Sequence, residues 1–223
     1  LKKKDLKMES NEIAIPLGDS HIKGDLTLVS ANAPLVIFAH GSGSSRLSKR
    51  NQFVANILQK AQISTFLFDL LTNQEDVVDQ YTRQFRFDIP LLANRLILVT
   101  NWLQDNKETA SLKLGYFGAS TGAAAALIAA TQFPQVIKAI VSRGGRPDLA
   151  ADFLSRVQSP TLLIVGELDY DVITLNELAY QKLQCIKKIA FVPRATHLFE
   201  EAGALEQASF LARDWFIKYF DNQ

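Results

Sequence analysis

The spacing of apolar residues changes character once along the chain. Residues 12–17 (EIAIPL) and 22–29 (IKGDLTLV) alternate apolar and polar side chains, as strands with one buried face do. Gly18-Asp19 separates them and reads as a hairpin turn. From residue 35 onward the strand-like segments are short, nearly continuous apolar runs: 35–40 (LVIFAH), 64–70 (STFLFDL), 112–117 (LKLGYF), 136–142 (VIKAIVS), 161–167 (TLLIVGE) and 188–193 (KIAFVP). A strand covered on both faces shows no polar side, so such runs suit a parallel sheet. Helical spacing occupies about 48–61, 88–106, 121–132, 172–184 and 201–220. This alternation predicts an α/β fold: a right-handed, doubly wound, mostly parallel sheet with an N-terminal antiparallel hairpin at one edge. Residues 71–87 carry neither period; they are expected to form a loop over the sheet edge, with room for a short helix. The connection RGGRPD after 136–142 is short, so no large lid domain is expected there. Without repeats or linkers, residues 12–223 read as one domain behind a basic N-terminal tail, 1–11.

Composition adds mainly exclusions. With 223 residues, 48% of them apolar, the chain can bury a sizeable core. A net charge of +1 is too balanced to argue for nucleic acid or a membrane surface as partner. The start, LKKKDLK, is the one basic cluster and reads as a solvated tail. The single cysteine, Cys185, permits no intrachain disulfide and no cysteine-based zinc site; it follows Leu183 in a helical pattern and reads as a small, partly buried hydrophobe. No apolar run reaches the roughly 18 residues of a membrane span, and no apolar segment of a secretory signal follows the basic start. The expected location is cytoplasmic. The chain begins with Leu1 rather than Met, which leaves room for a segment upstream.

In a doubly wound sheet, chemistry collects where strands end and loops enter helices. Gly118-Ala119-Ser120-Thr121-Gly122 fits G-x-S-x-G between a strand and a helix. There the two glycines relieve crowding in a sharp turn and the serine hydroxyl stands exposed above the sheet. The helix begins at once, so the N–H of Thr121 is a candidate oxyanion donor. A serine needs a base. Of three histidines, His21 lies on the hairpin, far from the strand ends, and reads as a surface residue; His40 belongs to a glycine loop; His197 follows the last strand, where a base is expected. Glu167, Asp169 and Asp171 follow the strand 161–167. Asp169 is best placed to orient His197, and Asp171 reads as the cap of a helix starting near Val172. The loop HGSGSS (40–45) offers the N–H of Ser42 as the second oxyanion donor. It lacks the P-loop pattern and the third glycine of the dinucleotide fingerprint, which argues against a nucleotide site.

With HGSGSS, GASTG, ELDYDV and THLF in this order, the chain resembles an α/β-hydrolase, and more narrowly the dienelactone hydrolase-like branch, over roughly residues 12–220. The resemblance implies Ser120 as nucleophile, Asp169 as acid, His197 as base, and the N–H groups of Ser42 and Thr121 as oxyanion hole. Dienelactone hydrolases use a cysteine nucleophile where this chain has serine, so what is implied is hydrolysis of a small-molecule ester, thioester or lactone rather than the dienelactone reaction itself. HGSGSSRLSKRN also resembles a bacterial subgroup that sometimes occurs joined to a phosphoribosyltransferase domain, which is not present in this chain. No cofactor or metal is implied. Arg46, Arg143 and Arg146, from loops at the same sheet end, are candidates to recognise an anionic substrate and equally candidates for solvated loop charges. Leu70, Leu71, Tyr170 and Phe199 are candidates for an apolar part of the pocket. An acyltransferase on the same residues, or a non-catalytic binding protein on the same fold, are the competing readings.

Overall fold

Eight strands and six α-helices alternate over residues 10–221, the residues that the computed structural model describes. In chain order they are β1 (Ser10–Leu17), β2 (Ser20–Thr27), β3 (Leu35–Ala39), α1 (Lys49–Lys60), β4 (Ser64–Phe68), α2 (Asn73–Thr82), α3 (Ile89–Asp105), β5 (Leu114–Ala119), α4 (Thr121–Ala130), β6 (Ile137–Arg143), a 3-10 segment (Pro147–Arg156), β7 (Thr161–Gly166), α5 (Tyr170–Lys182), β8 (Lys187–Val192) and α6 (Ala204–Asp221). The basic tail expected over 1–11 falls mostly outside the described residues; Ser10 and Asn11 open β1.

The sheet order is β1-β2-β4-β3-β5-β6-β7-β8, with β3 to β8 parallel and β1 and β2 antiparallel. The continuous apolar runs serve two cores at once. Along β3, Leu35, Ile37 and Ala39 face a cluster with α3 and α4, while Val36 and Phe38 face a second cluster with α1 and α6. Alternate side chains point to opposite faces, so both sets must be apolar. Helix α4 is buried nearly all round, which its alanines allow: only Ile128 is partly exposed. Among the described residues no helix is long and apolar enough to cross a membrane.

One expectation is sharpened and one changes. The stretch 71–87 contains a ten-residue helix, α2, started by a capping box in which Thr72 and Glu75 exchange side-chain-to-backbone bonds. Cys185 lies beyond the end of α5, in the turn before β8, with its sulfur 3.7 Å from the Thr161 hydroxyl.

Antiparallel pairing of β2 with β4 has a consequence for the site. Gly24 pairs with Phe68, and the Asp69 N–H donates to the Lys23 carbonyl. Residues 20–23 and the Gly18-Asp19 turn therefore stand at the carboxyl end of the parallel strands. His21, expected far from that end, lines a cavity there, although it is exposed as expected.

Candidate active site

Ser120 sits between β5 and α4 with φ 49° and ψ −123°, a conformation that side chains with a Cβ rarely hold. Such strain costs about 1–3 kcal/mol and persists where surroundings over-determine it. Here they do. A Cβ on Gly118 would lie 2.4 Å from the Ala123 Cα, and one on Gly122 2.3 Å from the Ala39 carbonyl oxygen. The loop after β6 also ties down the serine backbone. The Ser120 N–H donates to the Arg143 carbonyl, and the Ser120 carbonyl accepts from the Arg146 N–H at 3.0 Å. Thr121 is the first residue of α4, so its N–H has no partner within the helix.

His197 and Asp169 are 28 residues apart and meet because β7 and β8 are parallel neighbours. The loops leaving them are joined by the Leu168 N–H, which donates to the Ala195 carbonyl at 2.9 Å. His197 Nδ1 lies 2.7 Å from Asp169 Oδ2. A carboxylate accepts, so Nδ1–H donates and Nε2 is left as the basic nitrogen. Asp169 occupies the N-cap position of α5 without capping it, its carboxylate being turned to the histidine. The helix starts at Tyr170 rather than near Val172, which places Asp171 in its first turn and not at its cap. Tyr170 is 70% exposed and lines none of the cavities described here. Phe199 is buried beneath Arg143.

The loop after β3 lies against the serine: a Cβ on Gly41 would be 3.0 Å from the Ser120 Cβ. His40 holds the loop. Its Nδ1 lies 2.9 Å from the Gly41 carbonyl, and its Nε2 accepts from the Leu70 N–H at 3.0 Å. Since a carbonyl cannot donate, Nδ1 carries the proton. A trans peptide points its N–H opposite to its C=O. With the Gly41 carbonyl turned to His40, the Ser42 N–H points away from it. Gly41, Ser42, Ala119, Ser120 and His197 line one cavity of about 170 Å³. Gly41, Ser42 and Ser44 also line a second, of about 270 Å³, with His21, Leu70, Leu71 and α2 residues on its far walls.

The three arginines differ. Arg46 is held by Asp69 at 2.8 Å, Glu12 at 2.9 Å and Asp25 at 3.2 Å, so its charge is committed to tying the hairpin to the end of β4. Arg146 is paired in fork geometry with Asp148, at 2.9 and 2.8 Å, and lines neither cavity. Arg143 alone of the three lines the smaller cavity beside Ser120 and His197.

No family model matches the chain. A crystal structure of dienelactone hydrolase from Anabaena variabilis superposes with a TM-score of 0.94 at 50% sequence identity, covering 96% of this chain and 99% of that one. The chain belongs to the dienelactone hydrolase-like branch of the α/β-hydrolases. This hydrolase fold extends to more distant structures. Est1E from Butyrivibrio proteoclasticus superposes with a TM-score of 0.80 at 14% identity, over 96% of this chain and all of that one. Two curated relatives from strains of Mycobacterium tuberculosis, each provisionally named a phosphoribosyl transferase, are 50% identical over 212 residues. That match takes in 95% of this chain, which spans about half the length of those relatives (47%).

Sequence reasoning on this α/β-hydrolase chain missed the ring contacts of His40, and it missed Arg50 and Asn51, which line the smaller cavity. The signal for the last two was present. Ser48 opens the helical pattern at 48–61 as its N-cap, which places residues 49–51 in the first turn, at the strand ends.

Proposed function

We propose that the protein is a serine hydrolase that cleaves small-molecule carboxylic esters, thioesters or lactones through an acyl-serine. The observation that carries this reading is the pairing of His197 with Asp169 at 2.7 Å, with His197 lining a cavity whose wall includes the strained Ser120. His197 Nε2 takes the Ser120 hydroxyl proton as Oγ attacks the substrate carbonyl carbon, and the carbonyl π pair moves onto oxygen. The N–H groups of Ser42 and Thr121 receive that oxyanion. Asp169 keeps Nδ1 protonated and stabilises the imidazolium without taking its proton. As the tetrahedral species collapses, the bond to the leaving oxygen or sulfur breaks and His197 returns the proton to it. Water then repeats the sequence on acyl-Ser120 and releases the acid. None of these steps calls for a metal or cofactor.

The fold and the 50% identity to a dienelactone hydrolase support this class of reaction. The transferase name of the longer relatives we assign to the half of those proteins that this chain does not match.

The test is intact-mass analysis after treatment with a fluorophosphonate, on wild type and Ser120→Ala. One adduct on wild type and none on the variant is expected. Folded wild-type protein that takes no adduct would overturn the reading. Release of acid from phenyl esters, with and without added alcohol, separates hydrolysis from acyl transfer.

A further inference from the structure

Asn176 lies on α5, about two turns beyond Asp169, and is 0% exposed. Its Nδ2 donates to the Gly145 carbonyl at 3.0 Å and to the Val172 carbonyl at 2.8 Å. Carbonyls only accept, so the amide nitrogen and not its oxygen faces them. The Val172 bond runs one turn back along α5 and fixes the side chain on its own helix. Among the described residues Asn176 Oδ1 has no partner. A buried acceptor left unpaired is destabilising, and an apolar side chain would avoid it. The amide is therefore to be understood through its donors.

The Gly145 carbonyl is one end of a peptide group whose other end is the Arg146 N–H, and a trans peptide points the two in opposite directions. That N–H donates to the Ser120 carbonyl at 3.0 Å. One peptide plane is thus gripped by Asn176 on one side and grips Ser120 on the other, and bonds in such a chain polarise one another. Ser120, at φ 49° and ψ −123°, depends on bonds of this kind to stay where it is. Its N–H reaches the Arg143 carbonyl only at 3.4 Å, and the Ala123 N–H that also donates to its carbonyl belongs to the first turn of α4 and moves with it. The Arg146 bond is the firmer hold from outside. A Cβ on Gly145 would lie 1.9 Å from Ser142 Oγ and 2.6 Å from Ala123 Cβ, so the loop is pressed against α4. Packing fixes where the 145–146 peptide lies; Asn176 fixes how it is turned.

We propose that Asn176 is a positioning residue for Ser120: acting through the Gly145–Arg146 peptide, it sets the backbone of the serine and hence the aim of its Oγ. The inference rests on the serine-hydrolase reading. Asp169 occupies the N-cap of the same helix, so α5 orients His197 from its first residue and Ser120 from its second turn.

The experiment compares wild type, Asn176→Ala, Asn176→Leu and Ser159→Ala on phenyl butyrate. Asn176→Leu keeps the branched shape without a donor and covers the case in which the alanine variant folds poorly. Ser159→Ala is the control for stability: its Oγ donates to the Ile137 carbonyl at 2.7 Å, a buried bond of the same kind at the opposite end of the strands. All three variants are expected to lose Tm to a similar extent. In the Asn176 variants kcat is expected to fall roughly 10- to 100-fold, while KM stays within about threefold, and fluorophosphonate addition to Ser120 slows by the same factor. Ser159→Ala is expected to keep the wild-type kcat and addition rate. Unchanged kcat and addition rate in folded Asn176 variants, or an equal loss in Ser159→Ala, would overturn the positioning role and leave the hydrolase reading standing. Folded wild type that neither cleaves the ester nor takes the adduct would overturn both.

Discussion

His40 has both ring nitrogens occupied, one donating to the Gly41 carbonyl and one accepting from the Leu70 N–H. A second proton would have to displace the Leu70 bond. Burial pushes the ring below its ordinary value of 6.5, against the opposing pull of the Gly41 carbonyl and the charges of Asp69 and Asp76. The sign follows from linkage: the unfolded chain takes up the proton near pH 6.5 and the folded chain only at lower pH. The stabilisation is complete above 6.5 and is lost as pH falls through the folded value. Between pH 7.5 and 5.5, urea unfolding of wild type is expected to lose up to about 1.4 kcal/mol more than that of His40→Gln. An equal loss in both proteins would contradict this. The chain order of residues pointed to His40 as part of a glycine loop. It did not reveal the ring's partners, because Leu70 belongs to a strand end 30 residues away.

At the scale of elements, the hairpin of β1 and β2 is fastened to the carboxyl end of the parallel strands through Arg46, which takes one carboxylate from each of β1, β2 and the end of β4. Arg46→Met would leave three carboxylates facing one another. For a partly buried cluster the expected loss is about 1–3 kcal/mol, and Tm falls by roughly 3–10 °C. Arg213→Met, which breaks a surface pair with Asp214, serves as control and is expected to shift Tm by less than about 1 °C. Scanning fluorimetry reads both, and equal shifts would show that the hairpin is not held this way. Helix α2 shows why one element escaped the apolar pattern. Its only buried residue is Asp79, which accepts from the Phe85 and Arg86 N–H groups, while Val77, Val78 and Tyr81 face outward. A helix that buries no apolar stripe leaves no period to read. Its capping box, T-N-Q-E at 72–75, was the legible signal.

At the scale of the molecule, the two cores share one sheet, and each has its own tryptophan: Trp102 stacks on Phe66 in the core with α3, and Trp215 packs on Tyr219 in the core with α6. Because every strand from β3 to β7 contributes to both cores, neither is expected to melt alone. Single-tryptophan variants, Trp102→Phe and Trp215→Phe, should give coincident fluorescence and circular-dichroism transitions in urea within each protein. A gap of more than about 0.5 M between probes would show that the faces unfold separately. The sheet was legible because its strands are apolar on both faces, and the order of Ser120, Asp169 and His197 was legible because parallel strands deliver successive loops to one end. The commitment of Arg46 to three carboxylates was not, since Glu12 and Asp25 reach it only through the hairpin's return path. The loop from Gly41 to Ser44 is a thin wall between the two cavities. On the proposed hydrolase reading, an ester held at Ser120 in the smaller cavity reaches the larger one across this wall, so its two products come to rest in separate compartments. The first has no steric reason to wait for the second, which is the condition for a ping-pong cycle that forms no ternary complex.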